Sequence, residues 1–527
     1  MQYRIALSNT DTGRTFDRFW RRCVGAGRAN EGLRANWQEH LALAAEHCGF
    51  QYLRFHGLFH DDMCVYSEDD DGQPIFNWQY VHDLFDRMLD KGVRPFVELG
   101  FCPREIASVT ETCFWWKGHG SPPKDEGKWL ALVESFLRGC IDRYGLDEVR
   151  TWYFELWNEP NLDFFFTGGK TDYFRLYQIT VPAIKAIDPG LRVGGPATSN
   201  FVPDDRFAGE YENTSRHLTW TRDDIDALDW RAVWLEDFLA FCQKHELAVD
   251  FVSTHPYPTD FAIDPQGKHK GARSRSVDST KRDLQWLRRT INASPYPDAE
   301  IHLTEWNSSP SARDHTHDYI QAATFIVKAN VESVGLVDSL AYWTFTDVFE
   351  EHRGGDSAFH GGFGLINFQN IPKPAFHAYR MLNRLGDEMI RQEPGIAITR
   401  HRDTAKLVAL AYHYPPEVRQ APAISKPGRD VAEQVAATGS QARLELDLAG
   451  LSPRAAFVVE TLDACHGSAV GPWLDAGAPH SPGPTLTDQL QRAAWATART
   501  TCRADDRGRL QHTFELAPWT VMLVEQL

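Results

Sequence analysis

At 527 residues the chain is too long for a single core, and its 42% hydrophobic and 24% charged content is that of an ordinary soluble globular protein. Lys and Arg number 55 against 72 Asp and Glu, a formal net charge of −17. That balance argues against nucleic acid and anionic membranes as partners, because both need a basic patch.

The nine cysteines are odd in number and show no CxxC spacing, so reduced core thiols are expected. The N-terminus, MQYRIALSNTDTG, lacks a hydrophobic signal region, and no run of about 18 apolar residues occurs. A cytoplasmic location is the corresponding expectation. Seventeen tryptophans fill cores, but they also offer flat faces that stack on sugar rings.

In chain order, residues 1–17 hold one short strand, Tyr3–Leu7, followed by turn residues. From about Phe19 apolar, strand-like segments alternate with helical periodicity. The strand segments are Trp20–Val24, Tyr52–Phe55, Val93–Leu99, Trp152–Trp157, Arg192–Pro196, Phe251–Thr254, Glu300–Thr304 and Leu340–Phe345. The helical ones are Asn36–His47, Val81–Lys91, Lys128–Tyr144, Tyr173–Ile187, Ala232–His245, Lys281–Asn292, Tyr319–Val334 and Ala375–Leu385. Strict alternation over 18–385 predicts an α/β fold, a (β/α)₈ TIM barrel. An open doubly wound sheet fits less well: it often carries a Gly-rich phosphate turn after its first strand, and GAGRAN at Gly25–Asn30 is not GxGxxG.

Long connections follow the third, fourth, fifth and eighth strands, at Cys102–Gly127, Phe164–Asp172, Thr198–Asp229 and Val348–Ile371. In a barrel such loops gather on the active-site face. Residues 386–527 change character. Segments Lys406–Tyr412, Arg443–Leu448, Phe457–Thr461 and Thr520–Val524 are β-rich, separated by Pro/Gly/Ala stretches at Pro415–Gly439 and Gly467–Pro484. A β-sandwich-like accessory domain is expected there, with Tyr3–Leu7 as a strand that can pair with it.

Two carboxylates stand out. Glu159 ends the fourth strand segment in TWYFELWNEPNL, and Glu305 ends the seventh in EIHLTEWNSSP. On a closed barrel both project from one rim. Carboxyl groups about 5–5.5 Å apart suit a retaining glycosidase, and about 6.5–9.5 Å an inverting one. Other strand ends add Arg54 and His56, His255 and Tyr257, and Trp343 with Glu350 and Glu351. That mixture of carboxylates, imidazoles and an indole suits sugar recognition. His56, His255 and Glu305 also form a possible zinc set, but no HxH or HExxH pair accompanies them, so no metal is expected. Ser253 beside His255 lacks a GxSxG elbow.

Six motifs in order carry a family resemblance: RFHGLFHDDM at 54–63, RPFVELGFCP at 94–103, WNEPN at 157–161, STHPYPTD at 253–260, TEWN at 304–307, and WTFTDVFEE with FHGGFGL within 343–365. The chain resembles glycoside hydrolase family 39, which contains β-xylosidases and α-L-iduronidases. The resemblance implies that Glu159 is the general acid/base, Glu305 the nucleophile and Asn158 the partner of the sugar 2-OH. It implies that His56, His255, Glu350, Glu351 and Trp343 shape the −1 subsite, with no cofactor and a small carbohydrate as substrate.

Arg54 and Tyr257 are the expected donors to Glu305, Arg54 lowering its pKa. Glu159 is expected to be raised by burial and by the charge of Glu305. Glu350 and Glu351 would repel an iduronide carboxylate, which favours an exo-β-xylosidase acting on short xylo-oligosaccharides, with arabinosidase or glucosidase side activity. A silent carbohydrate-binding barrel would have lost one of the two carboxylates.

Overall fold

The computed structural model describes residues 2–263, 269–423 and 428–527. Eight strands close into a parallel barrel in sequential order: β1 (Cys23–Arg28), β2 (Tyr52–His56), β3 (Arg94–Leu99), β4 (Tyr153–Leu156), β5 (Arg192–Ser199), β6 (Phe251–His255), β7 (Glu300–Trp306) and β8 (Ser339–Tyr342). The helices between and after them are α1 (Ala35–Cys48), α2 (Gln79–Leu89), α3 (Glu126–Tyr144), α4 (Lys170–Ile187), α5 (Leu235–Lys244), α6 (Ser279–Asn292), α7 (Ile320–Glu332) and α8 (Pro374–Asn383).

Alternation along the strands sorts the barrel interior into layers. A lower layer of Cys23, Tyr52, Phe96, Tyr153, Phe251 and Ala341 forms one apolar cluster. Two residues further along, the same strands present Arg54, Glu98, Glu155 and Ser253, all buried. The next step reaches His56 and His255. The core is thus apolar at one end and densely charged toward the C-terminal ends of the strands. Buried charge is tolerated only when paired, and here it is.

The first strand is displaced from its expected place. Phe19–Arg21 forms a short 3₁₀ turn, and the strand begins at Cys23. Trp20 made the earlier segment look strand-like, but its indole N–H donates to the Leu382 carbonyl at 3.2 Å and its ring packs on Phe16. Gly25 and Gly27 both lie inside β1, and at Gly25 Trp343 needs the space. A Cβ on Gly25 would lie 2.6 Å from Trp343 Cε3.

Apart from three two-stranded pairs in the loops, the remaining strands form two sheets. One has seven strands in the order Arg14–Thr15, Glu388–Glu393, Ile396–Arg400, Leu407–Tyr412, Val521–Gln526, Ala456–Leu462 and Ala498–Arg503. The other pairs Gln2–Ser8 in parallel with Ala442–Ala449, which in turn pairs with Leu510–Leu516. Ile5, Ile398, Leu446 and Val459 belong to the apolar core these sheets share.

The two Pro/Gly/Ala stretches also contain helices, at Arg429–Ala436 and Val470–Asp475, and a further helix, Pro484–Trp495, starts where the second ends; residues 424–427 of the first stretch lie outside the described residues. Trp473 packs on Phe359 at 5.3 Å, bracing the long loop after β8. Among the described residues no helix is long and apolar enough to cross a membrane.

Candidate active site

Glu159 reaches the barrel mouth through a strained turn. Trp157 (φ 69°) and Glu159 (φ 45°) both lie in the left-handed region, where non-glycine residues are uncommon. Three bonds hold it: Trp157 N–H to the Leu99 carbonyl at 3.2 Å, Glu159 N–H to the Ala197 carbonyl at 2.9 Å, and the Trp157 indole N–H to the Phe165 carbonyl at 3.0 Å. On the far wall, β7 is irregular between Leu303 and Trp306. The hydroxyl of Thr304 and the carboxylate of Glu305 both bond to groups inside the barrel.

Glu305 is surrounded by donors. Arg54 Nη1 donates to its Oε1 at 2.6 Å, the Tyr257 hydroxyl donates to Oε2 at 3.1 Å, and His56 Nε2 lies 3.4 Å away. Arg54 is wholly buried and also holds Glu155 (2.9 Å), Glu98 (2.9 Å) and the Asn158 carbonyl oxygen (2.9 Å). Against the expectation, Glu305 stands above the usual carboxylate range. Burial is the leading cause, opposed by His255, Arg54 and His56 and reinforced by Glu159. Arg54 pulls in the expected direction but does not win. Burial disfavours the charge of His56, yet Glu98, Glu351 and Glu305 outweigh it and raise that imidazole to about 10. Its Nδ1 lies 2.6 Å from Glu98.

Glu159 has one close imidazole partner: its Oε1 is 3.0 Å from His255 Nδ1. Burial pushes this carboxyl up to about 7, against a hydrogen bond from Ser199 and the charges of His56 and Arg54, with Glu98 adding to the rise.

The proton pattern follows from the neighbours. Glu155 is bound by Arg54 and held below the usual carboxylate range against the opposing effect of burial, so it only accepts. The Thr304 hydroxyl donates to Glu155 Oε1 at 2.7 Å. Its oxygen therefore accepts from His255 Nε2–H at 2.9 Å. Burial holds His255 down at about 4, so the ring is neutral and Nδ1 is a bare acceptor. The hydrogen across the 3.0 Å contact then belongs to Glu159.

The expected residues divide into three groups. His56, Asn158, Glu159, Tyr257, Glu305, Trp343 and Glu351 line a cavity of about 640 Å³. Arg54 and His255 lie behind its wall, reaching it through Glu305, Asn158 and Glu159. Glu350 does not line the cavity: Arg34 binds it at 2.7 and 2.9 Å and Arg28 at 3.1 Å, and although burial opposes it, these two arginines hold it below the usual range. Glu98, Glu155 and Thr304 were not singled out from the sequence. The signal was present, since Glu98 and Glu155 interrupt apolar strand segments, the same feature that drew attention to Glu159.

One ligand atom from each of Glu159, His255 and Glu305 lies within 4.8 Å of the others. A cation there would face the Arg54 guanidinium already on Glu305. For the two carboxylates the same figure is a chemical constraint. It bounds one oxygen of each, which is close enough for both groups to reach a single anomeric carbon.

A parallel barrel with two such carboxylates facing one another at the C-terminal ends of its strands is a glycosidase architecture. The chain belongs to glycosyl hydrolases family 39, whose family model matches residues 3–511, and it is a glycoside hydrolase. It is 40% identical to a β-xylosidase of Caldicellulosiruptor saccharolyticus over 72% of this chain and 70% of that protein. It is 38% identical to a β-xylosidase of Geobacillus stearothermophilus over 74% and 72% respectively. A monomeric β-xylosidase from Caulobacter crescentus CB15 superposes with a TM-score of 0.84 at 31% identity, covering 99% of both chains.

Proposed function

We propose that this chain is a retaining exo-β-xylosidase that releases xylose from the non-reducing end of β-xylosides, with Glu305 as nucleophile and Glu159 as general acid/base. The observation that carries the reading is the pair of carboxylates within 4.8 Å of one another in unlike surroundings. Glu305 has donors on both oxygens, which favours its charged form. Glu159 faces a bare imidazole nitrogen, which favours its protonated form.

In the first step a Glu305 oxygen bonds to the anomeric carbon. The glycosidic bond breaks, and the Glu159 proton passes to the departing oxygen. Esterified, Glu305 no longer carries charge. In the second step Glu159 takes a proton from water, whose oxygen bonds to the anomeric carbon while the ester C–O bond breaks and Glu305 is restored. The Asn158 amide nitrogen is buried and has no partner among the described residues, which supports its role as donor to the 2-OH, a contact that strengthens as the oxocarbenium develops. Glu351 on the cavity wall supports a glycone without a carboxylate over an iduronide. With Glu350 neutralised by two arginines, that discrimination rests on Glu351 alone.

Aryl β-xylosides test the assignment. Glu305→Ala is expected to lose at least about 10⁴-fold in turnover, and azide should yield the α-xylosyl azide. Glu159→Ala should lose about 10²–10⁴-fold on xylobiose and much less on a nitrophenyl leaving group that needs no proton. Near-normal hydrolysis by either variant removes that residue from its role.

A further inference from the structure

The cavity does not end at the carboxylates. Its lining continues along the loops that follow β4 and β5, through Leu162, Phe164, Phe165, Phe207, Tyr211 and Trp234. These loops flank Glu159: its amide is bonded to Ala197 on β5, and Ser199 bonds its carboxyl. The group that protonates the leaving oxygen lies beside the leaving group, so on the catalytic reading above this chamber receives the aglycone. A cavity of about 640 Å³ lies in the range of roughly 300–1,000 Å³ that holds a drug-sized ligand, and the glycone end uses only part of it.

The chemistry of the chamber is lopsided. Phe164 and Tyr211 are each 55% exposed, a large apolar area for a protein surface to leave open. Phe164 packs on Phe165 with ring centroids 4.0 Å apart and Phe165 on Phe114 at 5.0 Å, each pair tilted by 43°. The Trp234 indole N–H is spent on the Phe207 carbonyl at 3.0 Å.

Asn161, Arg206 and Glu210, three of the polar side chains here, are committed to the protein, while Asp163, Asn200, Thr214 and His352 also line the cavity. Both ends of the Asn161 amide bind the Ser199 backbone, at 3.1 and 2.8 Å. Arg206 is held by Asp204, Asp260 and Thr219. Glu210 accepts from the Thr171 amide and hydroxyl, both at 2.8 Å. A second pentose would bring several hydroxyls against phenyl rings with few partners, and leaving them unbonded is costly. A planar aromatic group needs no partners and can join the existing cluster of tilted rings.

We infer that this chamber selects β-xylosides with a planar aromatic aglycone, the class of phenolic and arylalkyl glycosides, over xylo-oligosaccharides. The inference rests on the xylosidase reading and adds its leaving-group preference.

Steady-state kinetics on four substrates test it. 4-Nitrophenyl β-xyloside checks the glycone reading; methyl β-xyloside, xylobiose and 2-naphthylmethyl β-xyloside, all with non-acidic leaving alcohols, read the aglycone. The naphthylmethyl substrate is expected to exceed xylobiose and the methyl glycoside about tenfold in kcat/KM, mainly through KM. Phe164→Ala and Tyr211→Ala should each cut that preference several-fold, and Phe164→Trp should retain it. Circular dichroism confirms that the variants fold, as expected for exposed positions.

Hydrolysis of the nitrophenyl substrate with xylobiose equal to or better than the naphthylmethyl glycoside overturns the inference and leaves the xylosidase reading intact. A preference unchanged in both alanine variants overturns it too. No turnover of any β-xyloside overturns the glycone reading and the inference together.

Discussion

At the scale of single residues, the site depends on where protons sit. Arg54, His56, Glu98, Glu155, His255, Tyr257, Glu305 and Glu351 are the titratable groups around Glu159, contributed by β2, β3, β4, β6, β7 and the loop after β8. The series Glu155–Thr304–His255–Glu159 aims a lone pair at the carboxyl proposed as the acid. It stabilises the protonated form and so favours a raised pKa. Because Glu159 must be protonated for the first step and stands at about 7, kcat/KM on xylobiose is expected to fall as pH rises through about 7.

Thr304→Val frees His255 to place its hydrogen on Nδ1 and donate to the Glu159 carboxylate. That stabilises the charged form, and the basic limb should move down by about one pH unit, with Thr304→Ser restoring it. A lower rate with an unmoved limb would make Thr304 only a packing residue. These partners were hard to see in the sequence, because Thr304 and Glu155 are ordinary residues until the barrel closes and brings them within 2.7 Å.

At the scale of elements, strands and helices were readable because each buries a periodic apolar face. β1 was misplaced because Trp20 and Phe19 are apolar for a different reason: they cap the barrel against the end of α8. Gly25 of β1 makes sense only against β8, whose following residue, Trp343, presses on it. Gly25→Ala is therefore expected to displace the indole on the cavity wall. Overpacking of this kind costs about 1–3 kcal/mol, so the variant should fold with a lower melting temperature. Its kcat/KM should fall about tenfold or more, because about 1 Å of misplacement is expensive at a reacting centre. Near-UV circular dichroism and kinetics read both effects; unchanged kcat/KM would free Trp343 from a role in positioning the sugar.

At the scale of the whole molecule, the barrel and the seven-stranded sheet are joined by a charge cluster around the buried Glu460. Glu460, on the strand Ala456–Leu462, receives Arg380 of α8 at 2.7 Å, Thr497 at 2.6 Å and Arg499 at 3.2 Å, and is also bound by Arg384. Although burial opposes it, these donors hold its carboxyl far below the usual range. A depressed folded-state pKa contributes stability that is present above the unfolded value, about 4.3, and lost as pH falls below it. Glu460→Ala leaves the buried Arg380 without its carboxylate, so it should cost about 3 kcal/mol near neutral pH, with the deficit shrinking in acid. Thermal melts of both proteins at neutral and acidic pH check this. An equal deficit at both would assign the loss to packing.

Spacing along the chain was enough for the alternation of eight strands and eight helices, and for the two glutamates at strand ends, because periodicity and a carboxylate beside apolar residues are local properties. The expectation that Glu350 serves the cavity failed for a non-local reason: Arg28 and Arg34 lie more than 300 positions away in the chain. Only the closed barrel decided the spacing of Glu159 and Glu305, the direction of the His255 proton and the aromatic chamber behind the acid. Each depends on side chains from different strands meeting in space, and burial sets their energies only once that closure has removed the water.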